Sequence, residues 1–76
     1  MDNPSFVASE LEKGNDVYLI DNYDNHAFHF DPKMPLGKVA IKARGGREVV
    51  TDELNPDFFE SYLYADVVTR KEYLSF

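Results

Sequence analysis

The feature that most constrains the fold is the dipeptide Gly45-Gly46, which lies between two short runs of alternating apolar and polar residues. Glycine reaches positive φ without a clash of Cβ, and two-residue hairpin turns of the primed types need that conformation. The sequence therefore predicts an antiparallel hairpin centred on these glycines. The predicted register pairs Arg44 with Arg47, Ala43 with Glu48, Lys42 with Val49, Ile41 with Val50 and Ala40 with Thr51.

Alternation along this hairpin predicts one largely apolar face and one basic face. It places Val39, Ile41, Ala43, Glu48 and Val50 on the first face and Lys38, Lys42, Arg44 and Arg47 on the second. Like charges on opposed residues reduce stability, so the pair Arg44 and Arg47 needs an explanation. Either both side chains extend into water at the tip, or the tip binds an anionic partner. The four basic residues are therefore the candidate partner-binding residues.

A helix is predicted over residues 56–65, directly after the hairpin. Asn55 is a good N-cap, Pro56 suits the first helical position, and Asp57 is favourable near the positive end of the helix dipole. The large apolar side chains then recur on one helical face, at Phe58, Phe59, Tyr62 and Leu63. We interpret this stripe as core, with a ligand or partner groove as the alternative.

The first residues allow two interpretations. Asn3-Pro4 suits the start of a short helix over about residues 4–13, and Gly14 suits its end. The alternative is that residues 1–14 form an extended arm that docks on a neighbour.

Three further strands and a final helical turn are predicted in the remaining segments. Residues 16–20 and 27–30 form strands, joined by a turn rich in Asn and Asp. Val67 and Val68 form a short strand, and Thr69 with Glu72 matches a capping box.

Together these segments predict one small α+β domain over residues 1–76. Its antiparallel sheet consists of two hairpins and is packed on one face by the 56–65 helix; a small, partly open β-barrel is the alternative. The expected core is Val17, Leu19, Ile20, Phe28, Phe30, Val39, Ile41, Val50, Leu54, Phe59, Tyr62, Leu63 and Val67.

Charge is segmented along the chain, which has a net charge of −6. Acidic residues dominate the charged positions of residues 1–31. In residues 32–47 every charged residue is basic, and in residues 48–68 every charged residue is acidic. The overall acidity disfavours direct nucleic-acid binding. The blocks favour electrostatic complementarity within the fold, or with a protein partner or copies of the chain. We expect a soluble, cytoplasmic protein with no membrane partner.

No motif predicts catalysis, a cofactor, a metal or a small-molecule substrate. Residues 21–31 are rich in potential ligands but lack the glycine and the final glutamate of an EF-hand loop. His26 and His29 lie three apart on a predicted strand, so they point to opposite faces. The serines match no nucleophile motif, and Gly45-Gly46 lacks the lysine of a phosphate-binding loop. The sequence therefore predicts a protein that is not an enzyme.

Residues 38–74 combine an apolar-basic strand, a glycine-rich tip, a short Glu48-Val49-Val50 strand, an acidic approach to a helix and the closing sequence VVTRKEYL. In this pattern they resemble small accessory proteins of tailed-phage virions. The resemblance implies a non-enzymatic head, connector or decoration protein that docks on a larger structural protein in the virion. The alternative function is a small acidic regulator, such as a nucleic-acid mimic that inhibits a host protein.

Overall fold

Within residues 2–76, which the computed structural model describes, the chain forms three helices and five strands. In chain order these are α1 (Asn3–Glu12), β1 (Val17–Asp21), β2 (His26–Phe30), β3 (Lys38–Ala43), β4 (Val49–Asp52), α2 (Phe59–Tyr64), β5 (Asp66–Val68) and α3 (Arg70–Leu74). The predicted α+β class is confirmed.

All strands belong to one antiparallel sheet with the order β4-β3-β2-β1-β5. Both predicted hairpins are present, because β1 pairs with β2 and β3 pairs with β4. Pairing of β2 with β3 joins the hairpins, and β5 pairs with the free side of β1. Since β4 and β5 each have a single neighbouring strand, the sheet is open and the barrel alternative is not adopted.

The register between β3 and β4 differs by one residue from the prediction, which was wrong here. Ile41 pairs with Val49, and Ala40 pairs with Val50. A shift of one residue moves every side chain of a strand to the other face. Val50 therefore lies on the same face as Lys42, and Val49 takes the place predicted for Val50.

The tip of this hairpin also differs from the prediction. The Gly46 N–H donates to the Ala43 carbonyl oxygen at 2.8 Å, which centres the turn on Arg44 and Gly45. A two-residue turn there would shift the register by two residues, so the observed shift of one leaves one extra residue between the turn and β4. Gly45 has a φ of 72°, a conformation that favours glycine. Its N–H donates to the carbonyl oxygen of Phe76 at 2.8 Å, so a distant segment helps to set the turn.

The front face of the sheet, defined as the face that α1 and α2 cover, carries the larger core. This core consists of Val7, Val17, Leu19, Phe28, Phe30, Val39, Ile41, Tyr62 and Ala65. Phe6, Leu11 and Phe58 pack against it while partly buried. The first helix is thus a packed element, and over the described residues 2–14 the segment adopts the helical alternative and not an extended conformation.

The back face, defined as the face that α3 covers, carries a second core. It consists of Ile20, Ala27, Tyr73 and Phe76, with Tyr18 and Val68 packed against it. The predicted capping box of Thr69 and Glu72 begins α3. The sheet is therefore covered on both faces, whereas the sequence predicted one covering helix.

Helix α2 is shorter than predicted, and its predicted N-cap was wrong. The Asn55 side chain accepts a hydrogen bond from the Asp57 N–H at 3.0 Å, which makes a local turn, and the helix begins only at Phe59. Its end is held from a distance, because Asn3 Nδ2 donates to the carbonyl oxygens of Tyr62 and Ala65 at 2.8 Å each.

Five predicted core residues lie elsewhere. Val50, Leu54, Leu63 and Val67 are exposed, and Phe59 is half-buried. Val50 and Val67 belong to the two edge strands, at the margins of the sheet, where the helices that cover its faces end. Leu54 was expected in the core just before the helix, but α2 begins only at Phe59, so Leu54 lies in the segment that precedes it.

Candidate functional site

Three of the four predicted partner-binding residues share the back face, where they contact groups of the same chain. Lys38 Nζ lies 2.6 Å from Asp52 Oδ1 in an exposed ion pair. Lys42 Nζ lies 4.5 Å from the centre of the Tyr73 ring. Much of the basic face is thus the surface on which α3 packs.

Arg44 makes the most side-chain contacts of these residues. Its guanidinium carbon lies 4.2 Å from the centre of the Phe76 ring, a cation–π geometry. Its Nε donates to Asn25 Oδ1 at 3.2 Å, and its second terminal nitrogen donates to Asn22 Oδ1 at 3.1 Å. Since Arg44 and Gly45 form the turn, the predicted opposition of Arg44 and Arg47 is wrong.

Arg47 is exposed, and within residues 2–76 it forms no ion pair. Of the four predicted partner-binding residues, it is the one for which residues 2–76 show neither an ion pair nor a cation–π contact. The role of all four residues in partner binding stays a prediction.

The outer edge of β4, next to Arg47, is the most accessible apolar surface of the sheet. Val49 is 62% exposed on the front face and Val50 is 58% exposed on the back face. On the front side, a groove of about 410 Å³ runs beside this strand and is lined by residues that include Ile41, Val49 and Phe58. An edge strand of this kind can accept another strand.

A polar cluster on the back face lies at the open end of the β1–β2 hairpin. His29 Nε2 lies 2.8 Å from Asp16 Oδ2, and its Nδ1 lies 3.5 Å from Glu48 Oε1. The imidazole is stacked on Tyr18, with 4.5 Å between ring centres and 18° between planes. The Asp31 carboxylate completes a group of potential metal ligands with Asp16 and His29.

Tyr73 connects this cluster to α3. Its hydroxyl donates to Glu48 Oε1 at 2.8 Å. Burial raises the pKa of Tyr73 well above its usual value, and the hydrogen bond to Glu48 raises it further. The hydroxyl therefore stays protonated at neutral pH and keeps Glu48 beside His29.

The sequence prediction missed the cluster around His29. The available signal was alternation, because Asp16 and Asp31 flank two paired strands and His29 is two residues from Asp31. The contribution of Glu48 had no such signal, because it depends on the shifted register of β4.

Asp21 forms a second, buried polar contact at the other end of β1. It accepts a hydrogen bond from the Ser61 hydroxyl at 2.5 Å, and its other oxygen accepts from the N–H groups of Tyr23 and Asp24. Burial alone would raise the pKa of Asp21, but these hydrogen bonds outweigh it and lower the pKa. The contact joins the β1–β2 turn to α2.

Asp21→Asn should cost about 1–3 kcal/mol at neutral pH, because it removes hydrogen bonds to a charged acceptor. Since the folded pKa lies below the ordinary 3.8, this stabilisation is complete above that pH and is lost as the pH falls through the folded value. Urea unfolding of both proteins from pH 7 to pH 2 measures the difference.

The difference between the two proteins should therefore shrink in acid. Asp24→Asn removes an exposed carboxylate from the same turn and is the matched control for loss of charge. A difference between wild type and Asp21→Asn that stays constant across the range would contradict the assigned role of the carboxylate.

The two histidines lie on opposite faces, as predicted. His26 contacts Phe58 on the front face, with 5.2 Å between ring centres, and His29 contacts Tyr18 and Tyr73 on the back face. His26 Nδ1 is buried without a hydrogen-bond partner among residues 2–76.

The hydroxyl of Ser61 donates its hydrogen bond to Asp21, so Ser61 is not arranged as a histidine-activated nucleophile.

Among the described residues, no helix combines the length and the apolar composition that a membrane span requires. Comparisons of the chain with protein-family models, with curated proteins and with solved structures find no match.

Proposed function

We propose that the chain is a non-enzymatic interaction module that assembles by adding the outer edge of β4 to a strand of a partner protein. The observation that carries this proposal is the exposure of two adjacent valines, Val49 and Val50, on opposite faces of an edge strand. Strand addition provides backbone hydrogen bonds and buries alternate side chains on both faces.

The hydrogen-bond pattern of the hairpin identifies the backbone groups that are available. The Glu53 N–H donates to the Gly37 carbonyl oxygen at 2.8 Å, which continues the β3–β4 ladder. In an antiparallel pair, hydrogen-bonded and non-hydrogen-bonded pairs alternate. Residues 49 and 51 therefore bond to β3, while the backbone groups of Val50 and Asp52 point outward.

The surroundings of this edge favour a partner strand with both apolar and charged side chains. Arg47 precedes β4, and Asp52 and Glu53 follow Val49 and Val50. A partner strand with apolar residues at its centre and charges of complementary sign at its ends fits this order. The resemblance to virion accessory proteins makes the proposed partner a larger virion structural protein, or further copies of the chain.

Val50→Pro should abolish strand addition while the fold persists. Proline removes one backbone donor, and at residue 50 that donor points away from β3; proline is tolerated on the free side of edge strands. We expect at least a tenfold loss of partner captured from the native source, measured by pull-down with mass determination of the partner and its copy number. Circular dichroism checks that the variant is folded.

Val50→Thr is the matched control, because threonine keeps both the backbone donor and a β-branched side chain. Arg47→Glu tests the charge beside the edge and should weaken capture in a salt-dependent manner. Equal capture by the wild type and the folded Val50→Pro variant would show that β4 is not the contact.

A further inference from the structure

The open end of the β1–β2 hairpin collects a ligand set of mixed chemistry on the back face. Asp16, His29 and Asp31 each offer one ligand atom, and these atoms all lie within 4.8 Å of one another. Asp16 and His29 are already in contact through Oδ2 and Nε2 at 2.8 Å. Bonds to zinc of about 2.0–2.2 Å place neighbouring tetrahedral ligands about 3.4 Å apart, so these side chains would close around an ion by small movements, and the direct contact between Asp16 and His29 would open.

Strand pairing brings the two aspartates together. Val17 pairs with Phe30, so the next residues outward, Asp16 and Asp31, face each other across the ladder. Like charges at such positions reduce stability. A bound cation would compensate for this repulsion.

The surroundings of His29 orient its ring toward the aspartates. The side chain is 17% exposed and stacks on Tyr18. Behind the ring, Glu48 Oε1 lies 3.5 Å from Nδ1 and accepts a hydrogen bond from Tyr73. A carboxylate on the distal side is a common support of a metal-binding histidine. At 3.5 Å Glu48 makes no hydrogen bond to Nδ1, but its negative charge lies on that side of the ring.

We propose that Asp16, Asp31 and Nε2 of His29 bind one divalent cation of the zinc type, with water in the remaining coordination position. The Lys33 N–H donates to Asp31 Oδ1 at 2.8 Å, which leaves the second oxygen of that carboxylate for the cation. One imidazole with two carboxylates favours Zn²⁺ over Mg²⁺ or Ca²⁺, which prefer sites made of oxygen ligands alone. Glu48 is a positioning residue that acts through His29.

Isothermal titration of the metal-free chain with zinc chloride tests this proposal. We expect saturable one-to-one binding, with little heat from magnesium chloride at the same concentration. Asp31→Asn and His29→Gln should each weaken zinc binding at least tenfold, and Glu48→Gln should weaken it about 10–100-fold by releasing the histidine ring. NMR signals of the His29 ring should shift on addition of zinc.

His26→Gln is the matched control, because it removes the other histidine from the opposite face of the same strand. It should leave zinc affinity within about twofold. Circular dichroism checks that each variant is folded. If His29→Gln is not folded, His29→Asn takes its place. Absence of saturable zinc binding, or equal affinity in wild type and a folded Asp31→Asn variant, overturns the proposal.

Discussion

Phe28→Ala is expected to remove about 3–5 kcal/mol of stability, which is most of what a domain of this size has. Phe28 is 1% exposed and lies on the central strand β2. It is paired with Leu19 on one side and Ile41 on the other, and its ring centre lies 6.2 Å from that of Tyr62. The truncation leaves a cavity in the front core beside Tyr62. Urea unfolding followed by circular dichroism measures the loss.

Leu54→Ala is the matched comparison, because the sequence predicted a core position for Leu54 and the structure leaves it 72% exposed. Its free energy of unfolding should change by no more than about 0.5 kcal/mol. The loss of unfolding free energy in Phe58→Ala should lie between those of Phe28→Ala and Leu54→Ala, since Phe58 is only half-buried. Losses of similar size for Phe28→Ala and Leu54→Ala would contradict the described front core.

Phe76→Ala is expected to cost about 3 kcal/mol and to release α3 from the back face. Phe76 is 7% exposed, and its ring packs in the second core beneath the Arg44 guanidinium. Loss of the ring removes this cation–π contact together with the apolar burial. Unfolding in urea measures the stability, and amide hydrogen exchange shows whether residues 70–76 open before the sheet.

Leu74→Ala provides the control within the same helix, because Leu74 is 60% exposed. It should leave both the unfolding free energy and the exchange of residues 70–76 nearly unchanged. If Phe76→Ala behaves like Leu74→Ala, the ring of Phe76 does not hold α3 on the sheet.

The local elements were largely predictable from the sequence because their signals are local. Both hairpins, the first helix, the strand at Val67 and Val68, and the capping box of Thr69 and Glu72 lie where alternation and capping chemistry placed them. Most of the central sheet core was predictable as well, because apolar residues at alternate positions must share a buried face.

The incorrect predictions concern local features that also depend on a segment distant in the sequence. The Gly45 N–H donates to the Phe76 carbonyl oxygen, which helps to place the turn one residue earlier than predicted, and one extra residue between the turn and β4 leaves the register shifted by one. The contribution of Glu48 to the polar cluster around His29 was unpredictable for the same reason, since Glu48 reaches it only in the shifted register. The metal proposal therefore depends on tertiary structure, although the sequence contains every ligand.

By itself, the sequence determined that Gly45 and its neighbours form a hairpin, because a turn with positive φ is a property of a few adjacent residues. It also determined that a basic face exists there. Only the tertiary structure decided what that face does. Packing brings Tyr73 and Phe76 onto Lys42 and Arg44, so these charges stabilise α3, and Arg47 beside the edge of β4 remains available to a partner.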